Sequence, residues 1–168
     1  MLKFPELLTK LRGEEWEPPE TLLSIDPGET TGWAIFIAGT LHNSGQVGCE
    51  TFNEAVATVE SHGKFFHNLI SDIEPDIIVV EDYRIYAQKT NFHTWNALHT
   101  PRLIGAMQVL CAIHKIPLTL QMASSKQFCT NEKLKHWGFY LNANRHAMDA
   151  VRHGCYWLLF NKLKIIRG

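Results

Sequence analysis

Long apolar runs are missing from this sequence. The apolar runs it has, such as Ile77–Val80 and Tyr156–Phe160, are far too short to cross a bilayer, so no membrane-spanning helix is expected. Paired cysteines are missing too. Cys49, Cys111, Cys129 and Cys155 lie far apart with no CxxC among them, which favours reduced, buried thiols over disulfides or a zinc site. Met1–Leu11 carries no apolar leader core, and the segment after it is acidic and proline-containing, so a cytoplasmic protein is expected. Internal repeats, low-complexity tracts and interdomain linkers are also lacking. The 168 residues are enough for one domain with a buried core.

Acids are scarce in the second half of the chain. Of the 17 Asp and Glu, 15 precede residue 83, while 12 of the 16 Lys and Arg follow it. The formal net charge of -1 therefore conceals an anionic first half and a cationic second half. A polyanionic partner stays open, because what matters is how charge is arranged in space.

Residues 1–20 read as an arm, with a short helix over Phe4–Leu11, and 21–168 as a single domain. Leu22–Asp26 and Gly32–Ile37 have the composition of strands, and Leu41–Cys49 can pair as a third, edge strand in antiparallel order. Ala55–Ile73 has the apolar spacing of a helix ended by Pro75. Asp76–Glu81 is continuously apolar before its acids, the pattern of a strand buried on both faces of an α/β sheet. Thr94–His114 reads as a helix kinked or split by Pro101, and Pro117–Met122 as a short strand. Ser124–Ser125 is expected to cap a helix running into Lys135, and Asn142 or Asn144 a last helix reaching about Leu163. The order β-β-β-α-β-α-β-α gives an α/β fold, a mixed sheet flanked by helices.

Three acids fall where α/β sheets build sites. Asp26 ends the first strand, Glu81 ends the buried strand, and Asp149 lies in the first turns of the last helix with His146 three residues earlier on the same face. Singly, each has an ordinary reading: Asp26 as a turn former before Pro27-Gly28, Glu81 as a solvated or ion-paired charge, His146 as a cap, Asp149 as a charge favoured at a helix start. Their common order is more specific than any member. Carboxylates brought side by side repel unless protonated or bridged by a cation, so such a cluster implies divalent metal, and hard oxygen ligands favour Mg2+ or Mn2+.

These segments resemble the RuvC family of Holliday-junction resolvases, within the ribonuclease H-like superfamily. The likeness runs from Thr21 to about Phe160. It rests on Leu23-Ser24-Ile25-Asp26-Pro27-Gly28 with Thr31-Gly32-Trp33-Ala34, on Ile77–Glu81, on Arg102-Leu103-Ile104-Gly105-Ala106, on Ser124-Ser125-Lys126-Gln127 and on Arg145-His146-Ala147-Met148-Asp149-Ala150. The resemblance implies a ribonuclease H-like fold and a Mg2+-dependent endonuclease, with Mn2+ able to substitute, that nicks four-way DNA junctions symmetrically in recombination and repair. It implies Asp26, Glu81, His146 and Asp149 as metal ligands and catalytic residues, with Lys126 near the scissile phosphate. It also implies a homodimer whose two sites match two symmetry-related strands. Where family members carry an aromatic just after the catalytic glutamate, the third position here is Arg84, flanked by Tyr83 and Tyr86. Either tyrosine can stack on a base. The short stretch between Lys126 and His146 and the extra arm point to a divergent member, such as a phage-encoded one in a bacterial host. Arg84, Lys89, Arg102, Lys133 and Arg145, with Lys135 and Arg152, are the cations available to DNA backbones.

Three other readings compete. A ribonuclease H-like nuclease of other branched DNA, flaps or RNA-DNA hybrids would carry the same metal site. A phosphate-binding ATPase of the actin and sugar-kinase kind would use Asp26–Gly32 as a phosphate hairpin, but needs a second domain that 168 residues do not hold. A non-catalytic DNA-binding protein with a decayed site would not be expected to retain all four ligands.

Overall fold

The computed structural model describes residues 1–48, 55–83, 99–141 and 144–161. Within them α1 (Phe4–Arg12) precedes β1 (Thr21–Asp26), β2 (Thr30–Ile37) and β3 (Thr40–Gly48). There follow α2 (Ala55–Ile73), β4 (Ile77–Asp82), α3 (His99–His114) and β5 (Leu118–Met122), then a 3-10 helix (Ala123–Phe128), α4 (Asn131–Trp137) and α5 (Arg145–Phe160). The five strands form one sheet in the order β3-β2-β1-β4-β5. β1, β2 and β3 pair antiparallel, whereas β4 lies parallel to both β1 and β5. The expected mixed sheet flanked by helices is the observed one.

Side-chain alternation divides the core between the two faces of this sheet. Leu22, Ile77 and Val79 point to one face, where they meet α5 (Ala150, Val151, Leu158), α4 and α1. Leu23, Ile25, Ile78 and Val80 point to the other, against Phe66 and Ile70 of α2 and Ile104 and Met107 of α3. β1 and β4 are thus buried on both sides, which is why their sequences show apolar runs rather than alternation. The β2–β3 turn is two residues, Ala38 and Gly39, with φ of 46° and 77°; such left-handed turns match the twist of paired strands. α1 is clamped to the domain by Phe4, whose ring lies 4.9 Å from Trp137 and 5.1 Å from Phe139. Arg12 donates to the Leu158 and Trp157 carbonyls at the C-terminal end of α5, satisfying acceptors that the helix leaves open. No helix among the described residues is long and apolar enough to cross a membrane.

Three local expectations need correction. Pro101 does not split α3: it lies in the first turn, where a missing N–H breaks no intrahelical bond. Thr94 to residue 98 and Asn142 lie outside the described residues. No single helix runs from Ser124 to Lys135. The 3-10 helix ends at Phe128 with Cys129 as its C-cap, and α4 starts afresh with the Thr130 hydroxyl accepting the Lys133 N–H. That break lets Lys126 turn inward while α4 packs Leu134 and Trp137 into the core. The last helix ends at Phe160, and Asn144 stands at its N-cap position without a side-chain cap bond.

Gly32 is a position where the fold tolerates no side chain. A Cβ there would overlap the His146 carbonyl, because α5 starts directly on top of β2. The clash is with backbone, which cannot rotate away. Gly32→Ala is expected to destabilise the fold by about 3 kcal/mol, the upper end of overpacking costs, read as a lowered midpoint in chemical denaturation. An unchanged midpoint would mean that α5 shifts freely.

Candidate active site

Strand register and helix spacing build the site from two rows of side chains. Ser24 pairs with Val79 and Ile25 with Val80, so the next step along the parallel strands brings Asp26 beside Glu81. Glu81 in turn pairs with Gln121 of β5. Asp26, Glu81 and Gln121 therefore form a row across three adjacent strands, on the face covered by α5. Opposite them, α5 presents His146, Asp149 and His153, whose i, i+3, i+7 spacing puts them on one side of the helix. The buried Ser24 hydroxyl donates to the Ala150 carbonyl (2.8 Å) and ties strand to helix just below the site.

The β1–β2 turn leaves the Asp26 carboxylate free for this row. Thr31 Oγ1 accepts the Gly28 N–H (3.1 Å) and lies 3.0 Å from His62 Nδ1, so the turn is held by Thr31. Asp26 instead approaches His146, with Oδ2 3.4 Å from Nδ1.

Lys126 enters from the 3-10 helix and sits among three carboxylates. Its ammonium is 2.9 Å from Glu81, 3.0 Å from Asp149 and 3.8 Å from Asp26. One positive charge faces three potential negative ones, and the electrostatics show the imbalance. Burial, then the nearby Glu81, raise the Asp26 carboxyl to about 7, against the pull of Lys126. Burial alone would raise Glu81 as well, but hydrogen bonds from His153 and Lys126 outweigh it and hold the group down at about 2. Burial works against the charge on Lys126, and its carboxylate partners more than restore it. Two adjacent carboxylates are thus pushed in opposite directions, a pattern that recurs at sites handling charge.

Three convergent carboxylates, with the Lys126 ammonium among them and the Arg152 guanidinium on Asp149 Oδ1, still carry one more potential negative charge than positive, and their oxygens are hard donors. That set fits a divalent cation of the Mg2+ or Mn2+ kind. Asp26, Glu81 and His153 each offer an atom within 4.8 Å of the others, and Asp149 and His146 border them through Lys126 and Asp26.

All five residues expected to form the centre, Asp26, Glu81, Lys126, His146 and Asp149, are brought together. Three contributors were not foreseen. His153 is fully buried and donates to Glu81 (2.6 Å), and Gln121 backs His153. The helical spacing from Asp149 to His153 is the signal that could have found the first; Gln121 needed the strand register. Arg152, read from sequence as a cation for DNA, has its guanidinium occupied inside the protein. It binds Asp149, Asn131 Oδ1 and the Cys129 carbonyl, and so orients Asp149. Lys133 is similarly engaged, with its ammonium on the Phe128 carbonyl (2.7 Å) and over the Phe128 ring, and Lys135 lies over Tyr140. Arg102 and Arg145 are exposed, and Tyr83 is half-buried against the α2–α3 side of the core. Arg84, Tyr86 and Lys89 lie outside the described residues. Beside the carboxylates a cleft of about 350 Å³ is lined by Lys126, Gln127, Thr130, Asn131, Asp149 and Arg152. A second, of about 250 Å³, continues past Asn131 and Arg152 to Tyr140 and Arg145.

No family model matches the sequence, and no curated protein sequence matches it. Solved structures do match in three dimensions. Thermus thermophilus RuvC, in complex with a Holliday junction substrate, superposes with a TM-score of 0.65 at 15% identity, over 81% of this chain and 90% of that one. The fold is that of the ribonuclease H-like resolvases. The yeast mitochondrial Holliday junction resolvase Ydc2 covers 92% of this chain and 84% of its own at 16% identity, with a TM-score of 0.55. The fowlpox virus resolvase, bound to junction DNA, gives 0.53 at 10% identity over 82% and 96%. At such identities the superpositions show a shared architecture.

Proposed function

We propose that this chain is a metal-dependent endonuclease that cuts DNA phosphodiesters at four-way junctions by symmetric nicking. The observation that carries this reading is the convergence of Asp26, Glu81 and Asp149 on the Lys126 ammonium within a resolvase-type fold. Asp26, Glu81, Asp149 and His146 would hold divalent ions, Mg2+ with Mn2+ as substitute. When bound, such ions supply an activated water and offset charge on the leaving oxygen. The chain's own residues do the remainder. Arg152 keeps Asp149 turned toward the site, and Lys126 brings a cation to a place where a phosphate must approach a carboxylate cluster. Arg102 and Arg145 are exposed cations for the DNA backbone, Lys133 would join them by leaving the Phe128 carbonyl, and Tyr83, Arg84, Tyr86 and Lys89 follow the catalytic strand in sequence.

Junction selectivity requires two sites at a fixed separation, hence a homodimer. Val109 and Ile113 of α3 and Leu120 and Met122 of the edge strand β5 are exposed apolar side chains on the same side of the sheet, and this is the face we assign to the second copy. Residues 21–168 would form the nuclease unit, with 1–20 an arm clamped to it. Buried, unpaired Cys111, Cys129 and Cys155 suit a reducing cytoplasm, bacterial or phage-infected.

The test is cleavage of a synthetic four-way junction alongside matched duplex, flap and RNA-DNA hybrid, with and without Mg2+. Paired, symmetric nicks in the junction alone are expected. Preference for flap or hybrid would reassign the substrate, and Mg2+-independent cutting would overturn the metal mechanism.

A further inference from the structure

The buried pair His153–Gln121 carries a more specific inference about how Glu81 is held, and it rests on the metal-site reading above. His153 is the only fully buried member of the polar row on α5 among the described residues, and both of its ring nitrogens are engaged. Nε2 lies 2.6 Å from Glu81 Oε2, and Nδ1 lies 2.7 Å from Gln121 Nε2. The proton between these groups can be placed from the main chain. Gln121 Nε2 also lies 3.1 Å from the His153 carbonyl oxygen. A carbonyl only accepts, so the amide must present its NH2 group there; the flipped amide would set oxygen against oxygen. The same NH2 then donates to Nδ1, which must be the unprotonated nitrogen. The ring proton is left on Nε2, aimed at Glu81.

We propose that His153, locked in its Nε2–H form by Gln121, is a positioning residue that donates a hydrogen bond to Glu81 and is not itself a metal ligand. Distance alone would include its Nε2 among candidate ligands, but a nitrogen carrying a proton has no lone pair to give. Glu81 Oε2 thereby receives two donors, the His153 Nε2–H and the Lys126 ammonium. One donor comes from the floor of the site and cannot move, because His153 is sealed between β5 and α5. The other stands on a flexible stem. Glu81 therefore keeps its orientation when Lys126 moves. Partners of this kind typically change metal affinity or activity by about 10–100-fold when removed.

The tautomer can be read directly by nitrogen-15 NMR on histidine-labelled protein, without DNA. The expected spectrum has His153 Nδ1 unprotonated and Nε2 protonated, both before and after Mg2+ is added. A protonated Nδ1, or loss of the Nε2 proton on Mg2+ addition, would overturn the proposal. Mn2+ binding, followed by the spin-resonance signal of the free ion, gives a second readout. His153→Gln, which keeps a donor near the Nε2 position, is expected to bind Mn2+ within a few-fold of the parent chain. His153→Leu is expected to bind it about 10–100-fold more weakly. Equal affinity in the parent and the leucine variant, or equal losses in both variants, would count against the donor role. A chain with the predicted tautomer and graded Mn2+ affinities that leaves junctions uncut would uphold the positioning role and sink the substrate assignment instead.

Discussion

Asp26→Asn is expected to reduce Mg2+-dependent junction cleavage by about a thousandfold or more, while junction affinity in Ca2+ or EDTA stays within about threefold. The asymmetry follows from where Asp26 sits. It is buried at the end of β1, facing the carboxylate row rather than the protein surface, so it offers nothing to a DNA backbone. Removing its charge removes a ligand, and ion-mediated stabilisation is worth several kcal/mol, about a factor of ten per 1.4 kcal/mol. Asparagine keeps the shape and removes both the burial of a charge and the repulsion with Glu81 that together raise the Asp26 carboxyl, so the metal-free variant should be at least as stable as the parent above pH 7. Single-turnover nicking rates and gel-shift titrations on the same junction check both halves. Unimpaired cleavage by this variant would overturn the assignment of the site.

The second large effect is on pH and metal together. Asp26 in the metal-free fold holds its proton up to about pH 7, whereas an aspartate in the unfolded chain releases it near pH 4. Between these values the folded state binds the extra proton, so this group stabilises the fold at low pH and its contribution is lost as pH rises through about 7. Glu81 works in the opposite sense. Its depressed value, about 2, makes it stabilising above its ordinary range and costs stability as pH falls from about 4.5 toward 2. A divalent ion must displace the Asp26 proton, so apparent Mg2+ affinity should fall about tenfold for each pH unit below about 7 and level off above it. Thermal unfolding with and without Mg2+ should therefore show a larger metal-induced rise in Tm at pH 8 than at pH 6. A rise independent of pH would mean that Asp26 is already ionised in the metal-free protein.

Much of the fold was legible because strand and helix periods leave direct marks. The run Ile77–Val80 could be read as doubly buried because helices on both faces leave no wet side for alternation to report. The His146–Asp149 spacing announced a shared helix face for the same reason. The region from Ser124 to Lys135 misled, since Ser124–Ser125 and Thr130 are equally good caps by composition. Only the need to turn Lys126 inward and Leu134 and Trp137 into the core selects the second. The basic residues misled differently. A count of cations does not say which are already spoken for, and Arg152 and Lys133 are bound to groups of the protein itself.

What the sequence determined by itself was therefore local: which segments are strands and helices, and which end of each carries an acid. Those features depend on neighbours along the chain, and the chain displays them. What only the tertiary structure decided was pairwise. The register of β1, β4 and β5 lines up Asp26, Glu81 and Gln121, and the seating of α5 on Gly32 lowers His146, Asp149 and His153 onto them. Gln121 and His153 stand 32 residues apart, yet together they set the proton that holds Glu81. Such a pairing depends on packing between elements, which neither periodicity nor motif spacing encodes.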